Sequence, residues 1–472
     1  MLPRLTSLLA VLVLTRLLTV ADFGLYALAM VTGDFCDMLL GVWFRNGFLR
    51  YYHGGRLSAA PKGFDLGPIL FWYAACTLLA AALAWPIGYL LVAGDWPTFC
   101  GASSLYVVGT CTARFAMSVL RGEGKSSTYA LLSFRGIATL PVAVGAAYVF
   151  GASFGVCAYA LFGAQAIVGV ASCVAIWHVR RSGESSRSWT PGIVRYAWPL
   201  LVSSCLYAVA NSADRALIQL YLGAQAVAVY AAAYSLARQP LDMISNSLNI
   251  VTFSEIVQAH DTARSDRAKA LIGRQIAVVA GACIPAFAGL SLLAAPIVRL
   301  LLDHRYWSSV PALVPAIALG ALAYNIRNVA IDQVYYLRER TRLQTLTFLP
   351  SLIVLPVSAM LLIPVMGAIG AAYAVALGNL AGLAISALVA DRVVPLRPRL
   401  ADIRAMAFAT LAMSVVVSMI GRFGGSAGWT VPVAVGAGAL VYAGSALLLN
   451  FLGLRPLLFG SVHARLRGAK LN

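Results

Sequence analysis

Apolar and polar positions alternate along this chain on the scale of whole helices. Runs of about 20 apolar residues, the length a helix needs to cross a bilayer, recur with short polar breaks between them. Fourteen fit, near 2–20, 23–48, 66–93, 97–120, 127–150, 153–177, 196–221, 224–250, 271–299, 309–336, 343–363, 367–390, 402–421 and 429–451. The pattern predicts an all-α polytopic membrane protein of about 14 transmembrane helices. The first run carries Arg4 and Arg16 and begins at the initiator methionine. No A-x-A-like cleavage site follows it, so it reads as a retained helix, shortened at its start, and not as a signal peptide.

The pattern also repeats. LLTVADFGLYALA, Leu17 to Ala29, aligns with YLGAQAVAVYAAA, Tyr221 to Ala233, in its turn, in the Tyr26/Tyr230 pair and in the small residues that follow. Each copy opens a helix with polar residues inside an apolar run. The repeat predicts two pseudo-symmetric six-helix lobes, 1–180 and 196–392, joined by a cytoplasmic linker at 181–195. Helices 13 and 14, within 400–451, fall outside it, and 452–472 forms a basic tail. Paired helical repeats of this kind place a substrate path between two halves.

Composition agrees with the pattern: of 472 residues, 61% are hydrophobic and 11% charged, too little charge for a soluble surface. A net charge of +18 would suggest nucleic acid in a soluble domain, but here the basic residues collect in short connections after every second helix. Examples are Arg50, Arg56 and Lys62; Arg180, Arg181 and Arg187; and Arg392, Arg397 and Arg399. That asymmetry is the positive-inside pattern. It puts both termini in the cytoplasm, demands an even helix count and argues against a nucleic-acid partner.

The eight cysteines lie in or beside apolar runs without a C-x-x-C pair, and the five histidines are scattered. Neither set forms a metal framework or calls for a cofactor. VLRGEGKS, Val119 to Ser126, ends like a phosphate-binding loop but lacks its first glycine and follows an apolar helix, so it reads as a basic turn. G-x-x-x-G at Gly151/Gly155 and Gly378/Gly382 reads as close helix packing inside the bundle.

Ionisable residues inside the runs carry the functional signal, because charge is costly in lipid and normally faces protein or a wet cavity. Asp34, Asp37, Gly41, Arg45 and Phe48 share one face of helix 2, and Arg238, Asp242, Ser245 and Asn249 one face of helix 8. Aligning Tyr26 with Tyr230 superimposes these stripes, as expected if both look into one cavity. Helix 7 contributes Asn211, Asp214 and Arg215, and helix 10 Asn325, Asn328 and Asp332, with Arg327 to one side. Arg45, Arg114 and Arg135 lie in the cytoplasmic halves of their helices, where snorkelling to headgroups competes with cavity lining. For the deeper Arg215 and Arg238 the alternatives are cavity lining or an ion pair with Asp34, Asp214 or Asp242. Arginine's planar fork suits a phosphate or diphosphate. The expected substrate-binding set is Arg215, Arg238, Arg45, Arg135, Arg327, Asn211 and Asn249. Asp34, Asp37, Asp214, Asp242 and Asp332 are the coupling or ion-pair carboxylates.

LLTVADFGLYALA, the hairpin from Trp198 to Ala237 and LGALAYNIRNVAIDQVYYLRER resemble the polysaccharide transporters of the multidrug/oligosaccharidyl-lipid/polysaccharide exporter superfamily, which includes O-antigen flippases. The matching residues are Leu18, Asp22, Phe23, Gly24, Tyr26, Pro199, Asp214, Arg215, Gly223, Tyr230, Gln333 and Arg338. The resemblance implies two six-helix lobes forming a V, a cationic cavity, and alternating access that carries an undecaprenyl-diphosphate-linked sugar across a bacterial inner membrane. It further implies membrane lipids, a polysaccharide polymerase and chain-length machinery as partners. The short first helix departs from the family pattern. A cation-coupled drug antiporter of the same superfamily and a membrane-embedded polymerase or ligase are the competing readings. The first would be expected to stop at twelve helices, and the second to carry a substantial outer loop, whereas Asp303 to Ser309 is a short turn.

Overall fold

A computed structural model describes residues 2–53, 64–180, 184–185, 190–261, 265–337, 341–393, 399–423 and 427–453. Arg338, Pro199 and the basic tail from 454, each named above, lie outside the described residues or side chains. Each of the fourteen apolar runs is helical. The one non-helical pairing among the described residues is a two-residue parallel contact, Phe64–Asp65 with Glu184–Ser185.

The first run is the short helix α1 (Leu2–Leu17). The second is broken into α2 (Val20–Leu40) and α3 (Val42–His53). Thr19 caps α2 by accepting from the Asp22 backbone N–H, the usual way a helix start satisfies its exposed amides. The break falls at Gly41, where the Asp37 carboxylate and the Arg45 guanidinium already fill the space a side chain would need. Helices α4 (Gly67–Leu91) and α5 (Trp96–Gly122) follow. The run at 127–150 is divided among α6 (Ser126–Ser133), α7 (Arg135–Ala138) and α8 (Leu140–Phe150). Helix α9 (Phe154–Arg180) and the long helices α10 (Thr190–Leu222) and α11 (Ala224–Asp261) complete the first eight runs. Gly223, at the tight turn between the last two, has φ +80°, the left-handed region that glycine adopts without strain.

Helices α12 (Ser265–Leu292) and α13 (Ala294–Leu301) make the ninth run. The tenth is α14 (Val310–Asn325), a π-helical segment (Ile326–Ile331) and α15 (Gln333–Leu337). Helices α16 (Thr341–Met366), α17 (Ala368–Val393), α18 (Leu400–Phe423) and α19 (Ala427–Leu448) close the chain. Ten of the described helices are long and apolar enough to cross a membrane, and the bent pair within α10 makes an eleventh. The runs of α1, a shorter apolar helix, and of α5 and α11 fall outside that count.

The described contacts form two compact units, Met1–Ala232 with Ile363–Ala368, and Ala233–Leu362 with Ile369–Asn472. This division by contacts differs from the division by repeat. Helix α10, seventh in the repeat, packs along α2 and α3. Within the first unit a core of Phe44, Phe48, Tyr73, Phe115 and Ile193 joins α3, α4, α5 and α10. Gly24 makes a close approach there: a Cβ on it would lie 1.8 Å from the Ala224 carbonyl oxygen at the start of α11. The two repeated motifs thus touch at their small residues.

Of the two G-x-x-x-G pairs expected to pack inside the bundle, Gly378/Gly382 does so, whereas Gly151 is an exposed helix end at φ +89° with nothing within 4 Å of an added Cβ. A Cβ on Gly378 would meet Leu355 at 2.8 Å and one on Gly382 the Ser351 hydroxyl at 1.9 Å, both on α16. The phosphate-loop-like stretch is a turn. Gly124 has φ +71°, and Lys125 is paired with Glu123 at 2.8 Å.

Candidate functional site

The polar stripe of α2 and α3 forms a closed ionic cluster with α5 in the first unit. Asp37, fully buried, receives Arg45 in a two-pronged contact at 2.5 and 2.8 Å. Its Oδ2 also accepts from Arg114 at 2.5 Å, and Oδ1 from the Cys111 thiol at 3.0 Å. The second prong of Arg114 reaches Asp34 at 2.9 Å. Tyr73 completes the support: its hydroxyl accepts from Arg45 at 2.7 Å and donates to the Cys111 carbonyl at 2.9 Å. Buried charges persist where they are paired and hydrogen-bonded on all sides, and Asp37 meets that condition.

This geometry corrects the snorkelling expectation for Arg45 and Arg114. Both turn inward to carboxylates, because Asp37 lies within reach on the same face of the bundle. Arg114 and Asp34 form the open edge of the cluster, with side chains 38% and 37% exposed.

Arg135 borders that edge. It stands in the short helix α7, between the breaks at Phe134 and Thr139. Its guanidinium feels the charges of Arg114 and Asp34. Yet its one hydrogen-bond partner among the described residues is the Met117 sulfur, at 3.7 Å from Nη1. Its Nε is buried with no partner among the described residues. A thioether is a weak acceptor, so among the described residues this half-buried cation has no oxygen to hold. The cluster itself joins two guanidinium groups (Arg45, Arg114) to two carboxylates (Asp34, Asp37), and Arg135 adds a third positive charge to this unit.

The same unit holds the helix 7 residues. Asp214 is buried; it accepts from the Tyr230 hydroxyl at 2.8 Å and from the Arg215 backbone N–H at 2.8 Å. Arg215 is 9% exposed, with Nη1 3.5 Å from the Asn211 carbonyl and its guanidinium 5.9 Å from the Tyr230 ring. The Asn211 side chain donates to the Tyr207 carbonyl at 2.8 Å. Tyr230 therefore anchors the helix 7 carboxylate. Its repeat partner Tyr26 packs among rings instead, stacking on Phe162 at 5.2 Å.

The second unit carries its own polar group on α11. The Arg238 guanidinium lies 5.1 Å from the Tyr234 ring and 4.6 Å from the Tyr324 ring, donates to the Tyr234 hydroxyl, and pairs with Asp242 at 3.5 Å. Its side chain is 15% exposed. Asp242 also accepts from Asn325 at 2.8 Å, and Asn325 in turn accepts from Ser245. Asn249 is met by Gln275 at 3.4 Å. In each unit the carboxylate of the repeated helix thus bonds to a helix two later, Asp37 to Arg114 and Asp242 to Asn325.

Arg327 lies within the π-helical segment and Asp332 directly follows it. Arg327 is 3% exposed, pairs with Asp332 at 3.4 Å, donates to Ser351 at 3.0 Å and lies 4.9 Å from the Phe348 ring. Asp332 accepts from Ser386 at 2.6 Å. Arg327 Nε, like that of Arg135, is buried without a hydrogen bond among the described residues, but the guanidinium has oxygen partners in Asp332 and Ser351. Among the described residues no cluster of three or more His, Cys, Asp or Glu side chains could hold a metal ion.

Arg114 is the participant that the expected site set omitted. Its periodicity marks an inward face of helix 4, but its two carboxylate partners lie 77 and 80 residues earlier.

The fold is that of polytopic transporters. Across 97% of this chain and 98% of the other, it superimposes on the lipid II flippase MurJ in an inward closed conformation, with a TM-score of 0.78 at 14% identity. Over 84% of this chain and 95% of the other, it matches an inward-facing multidrug resistance MATE family transporter of the MOP superfamily, with a TM-score of 0.57, again at 14% identity. The profile of one sequence family, described as polysaccharide biosynthesis protein, matches residues 74–311, and the chain belongs to that family. No curated protein sequence matches it significantly.

Proposed function

We propose that this protein moves a polyprenyl-diphosphate-linked oligosaccharide from the inner to the outer leaflet for assembly of a surface polysaccharide. The observation that carries the reading is Arg135, a half-buried guanidinium at the edge of an ionic cluster whose only described hydrogen-bond partner is a thioether. A diphosphate supplies the oxygen acceptors it lacks, and arginine's fork engages two of them at once. Arg114, fixed by Asp34 and Asp37, adds a second positive group beside it. The carboxylates hold the arginine in position and keep the empty site from carrying an excess of bare charge.

Membership of the polysaccharide biosynthesis family supports a saccharide cargo. Likeness to a protein named as a lipid II flippase supports a lipid-linked one. In the other unit Arg238, with Asn249 further along its helix, serves the same cargo through its ring-flanked guanidinium. Arg215 and Asn211 line the path beside Asp214, and Asp34 and Asp242 are the carboxylates available for ion coupling. The protein works in the bacterial cytoplasmic membrane with both termini inside, as a transporter and not a catalyst, next to the polymerase and chain-length machinery that use its product.

Deletion of the gene followed by lipid extraction tests this. Accumulation of a saccharide-diphosphate-polyprenol on the inner leaflet is expected. Unchanged lipids with altered drug tolerance would select the antiporter reading instead, for which the likeness to a multidrug transporter is the relevant observation.

A further inference from the structure

A separate apolar recess in the first unit backs onto the ionic cluster through Tyr73. Helices α4, α5 and α9 enclose about 490 Å³ lined by residues that include Leu70, Tyr73, Thr77, Val108, Val174 and Trp177. The hydroxyls and the thiol in this lining already have partners. Tyr73 donates to the Cys111 carbonyl, Thr77 to the Tyr73 carbonyl at 2.9 Å, Thr112 to the Val108 carbonyl at 2.6 Å, and Cys173 to the Thr112 carbonyl at 3.2 Å. None of these groups asks for water, so the chemistry of the recess is that of a hydrocarbon chain.

A wider recess of about 1070 Å³ adjoins it, sharing Gly67 and Phe71 and adding Trp72, Pro191, Arg195 and Trp198. Arg195 is exposed, and no acidic residue shares this lining among the described residues. Beside it Arg50 lies over the Tyr196 ring at 4.8 Å. Tryptophan and arginine together mark the level of lipid headgroups.

We propose that the two recesses form a docking site for one anionic glycerophospholipid, an acyl chain in the apolar recess and the phosphate on Arg195. Depth selects this occupant over the prenyl chain of the cargo. Along α4 the apolar recess runs from Gly67 to Leu78, roughly 17 Å at the helical rise. That is about one leaflet of a ~30 Å hydrocarbon core, on the side of the basic connections only. A lipid resident in one leaflet fits it, whereas a chain that accompanies cargo across the membrane loses contact with it halfway. The floor is the ring of Tyr73, whose hydroxyl accepts from Arg45, so the docked chain lies on the residue that braces the ionic cluster.

Native mass spectrometry of the full chain with phosphatidylglycerol or phosphatidylcholine tests the site, using Arg195→Gln and Ala74→Trp. Both positions are exposed, so neither change disturbs a packed contact. The wild type should retain phosphatidylglycerol in preference. Arg195→Gln should cut that preference about fivefold, the effect of one arginine near an anionic headgroup, and Ala74→Trp should reduce retention of both lipids. An unchanged preference in Arg195→Gln overturns the proposal. So does displacement of phosphatidylglycerol by undecaprenyl phosphate at equal or lower concentration, which would make the cargo's chain the occupant. Neither result bears on whether Arg135 binds a diphosphate.

Discussion

Among the described residues Arg135 meets Met117 and no oxygen: Nη1 stands 3.7 Å from the thioether sulfur, and Nε is buried without a partner. Every other membrane-embedded arginine in the expected site set contacts a carboxylate, a carbonyl or an aromatic ring. Arg135→Ala should therefore leave thermal stability nearly unchanged, because little bonding is lost. Transport should fall roughly ten- to a hundredfold, the size of one charge-assisted hydrogen bond. Arg135→Lys should be intermediate, since charge survives without the fork. Parallel melting curves and transport assays check both halves of this expectation.

Asp37 and Asp34 should separate sharply. Asp37 is fully buried between two arginines, so Asp37→Asn leaves buried cations uncompensated and should cost about 3–5 kcal/mol. Asp34 pairs with Arg114 where both side chains are more than a third exposed, and solvent screening limits Asp34→Asn to about 1 kcal/mol or less. Thermal unfolding of the detergent-purified variants measures the difference, which similar shifts for the two would contradict.

Gly24 tests the contact between the repeated motifs. Because a Cβ there would fall 1.8 Å from the Ala224 oxygen, Gly24→Ala must displace backbone and should destabilise by about 1–3 kcal/mol. Gly163→Ala, where nothing lies within 4 Å of the added carbon, is the control and should be neutral or slightly stabilising. Yield and melting temperature report both.

Arg238→Ala and Arg215→Ala should each lower transport while leaving membrane insertion intact. At Arg238, lysine keeps the pairing with Asp242 but loses the planar contact with Tyr324 at 4.6 Å, so Arg238→Lys should retain part of the activity. Equal activity of lysine and arginine would reduce the site to simple charge.

Periodicity was sufficient to locate all fourteen helical runs, the turn at Gly223 and the polar faces of helices 2 and 8. It could not reveal which charges meet. Asp37 and Arg45 are close in sequence, eight residues apart, and their pairing could be anticipated from one helical face. Arg114 reaches Asp34 from 80 residues away, and no local pattern encodes that distance. The breaks at Gly41 and around Arg135 also escaped the pattern, because an apolar run reads alike whether its helix is continuous or divided. Tyr26 and Tyr230 show the limit of the repeat: they align in sequence, yet one packs among rings and the other holds a carboxylate.

The most direct measurement is translocation of a fluorescent polyprenyl-diphosphate saccharide in proteoliposomes, followed by quenching of the label exposed on the outer leaflet. The account predicts that wild-type protein redistributes the lipid between leaflets and that Arg135→Ala, equally folded, does so at least tenfold more slowly. Redistribution no faster than in protein-free vesicles, or equal rates for wild type and Arg135→Ala, would contradict it.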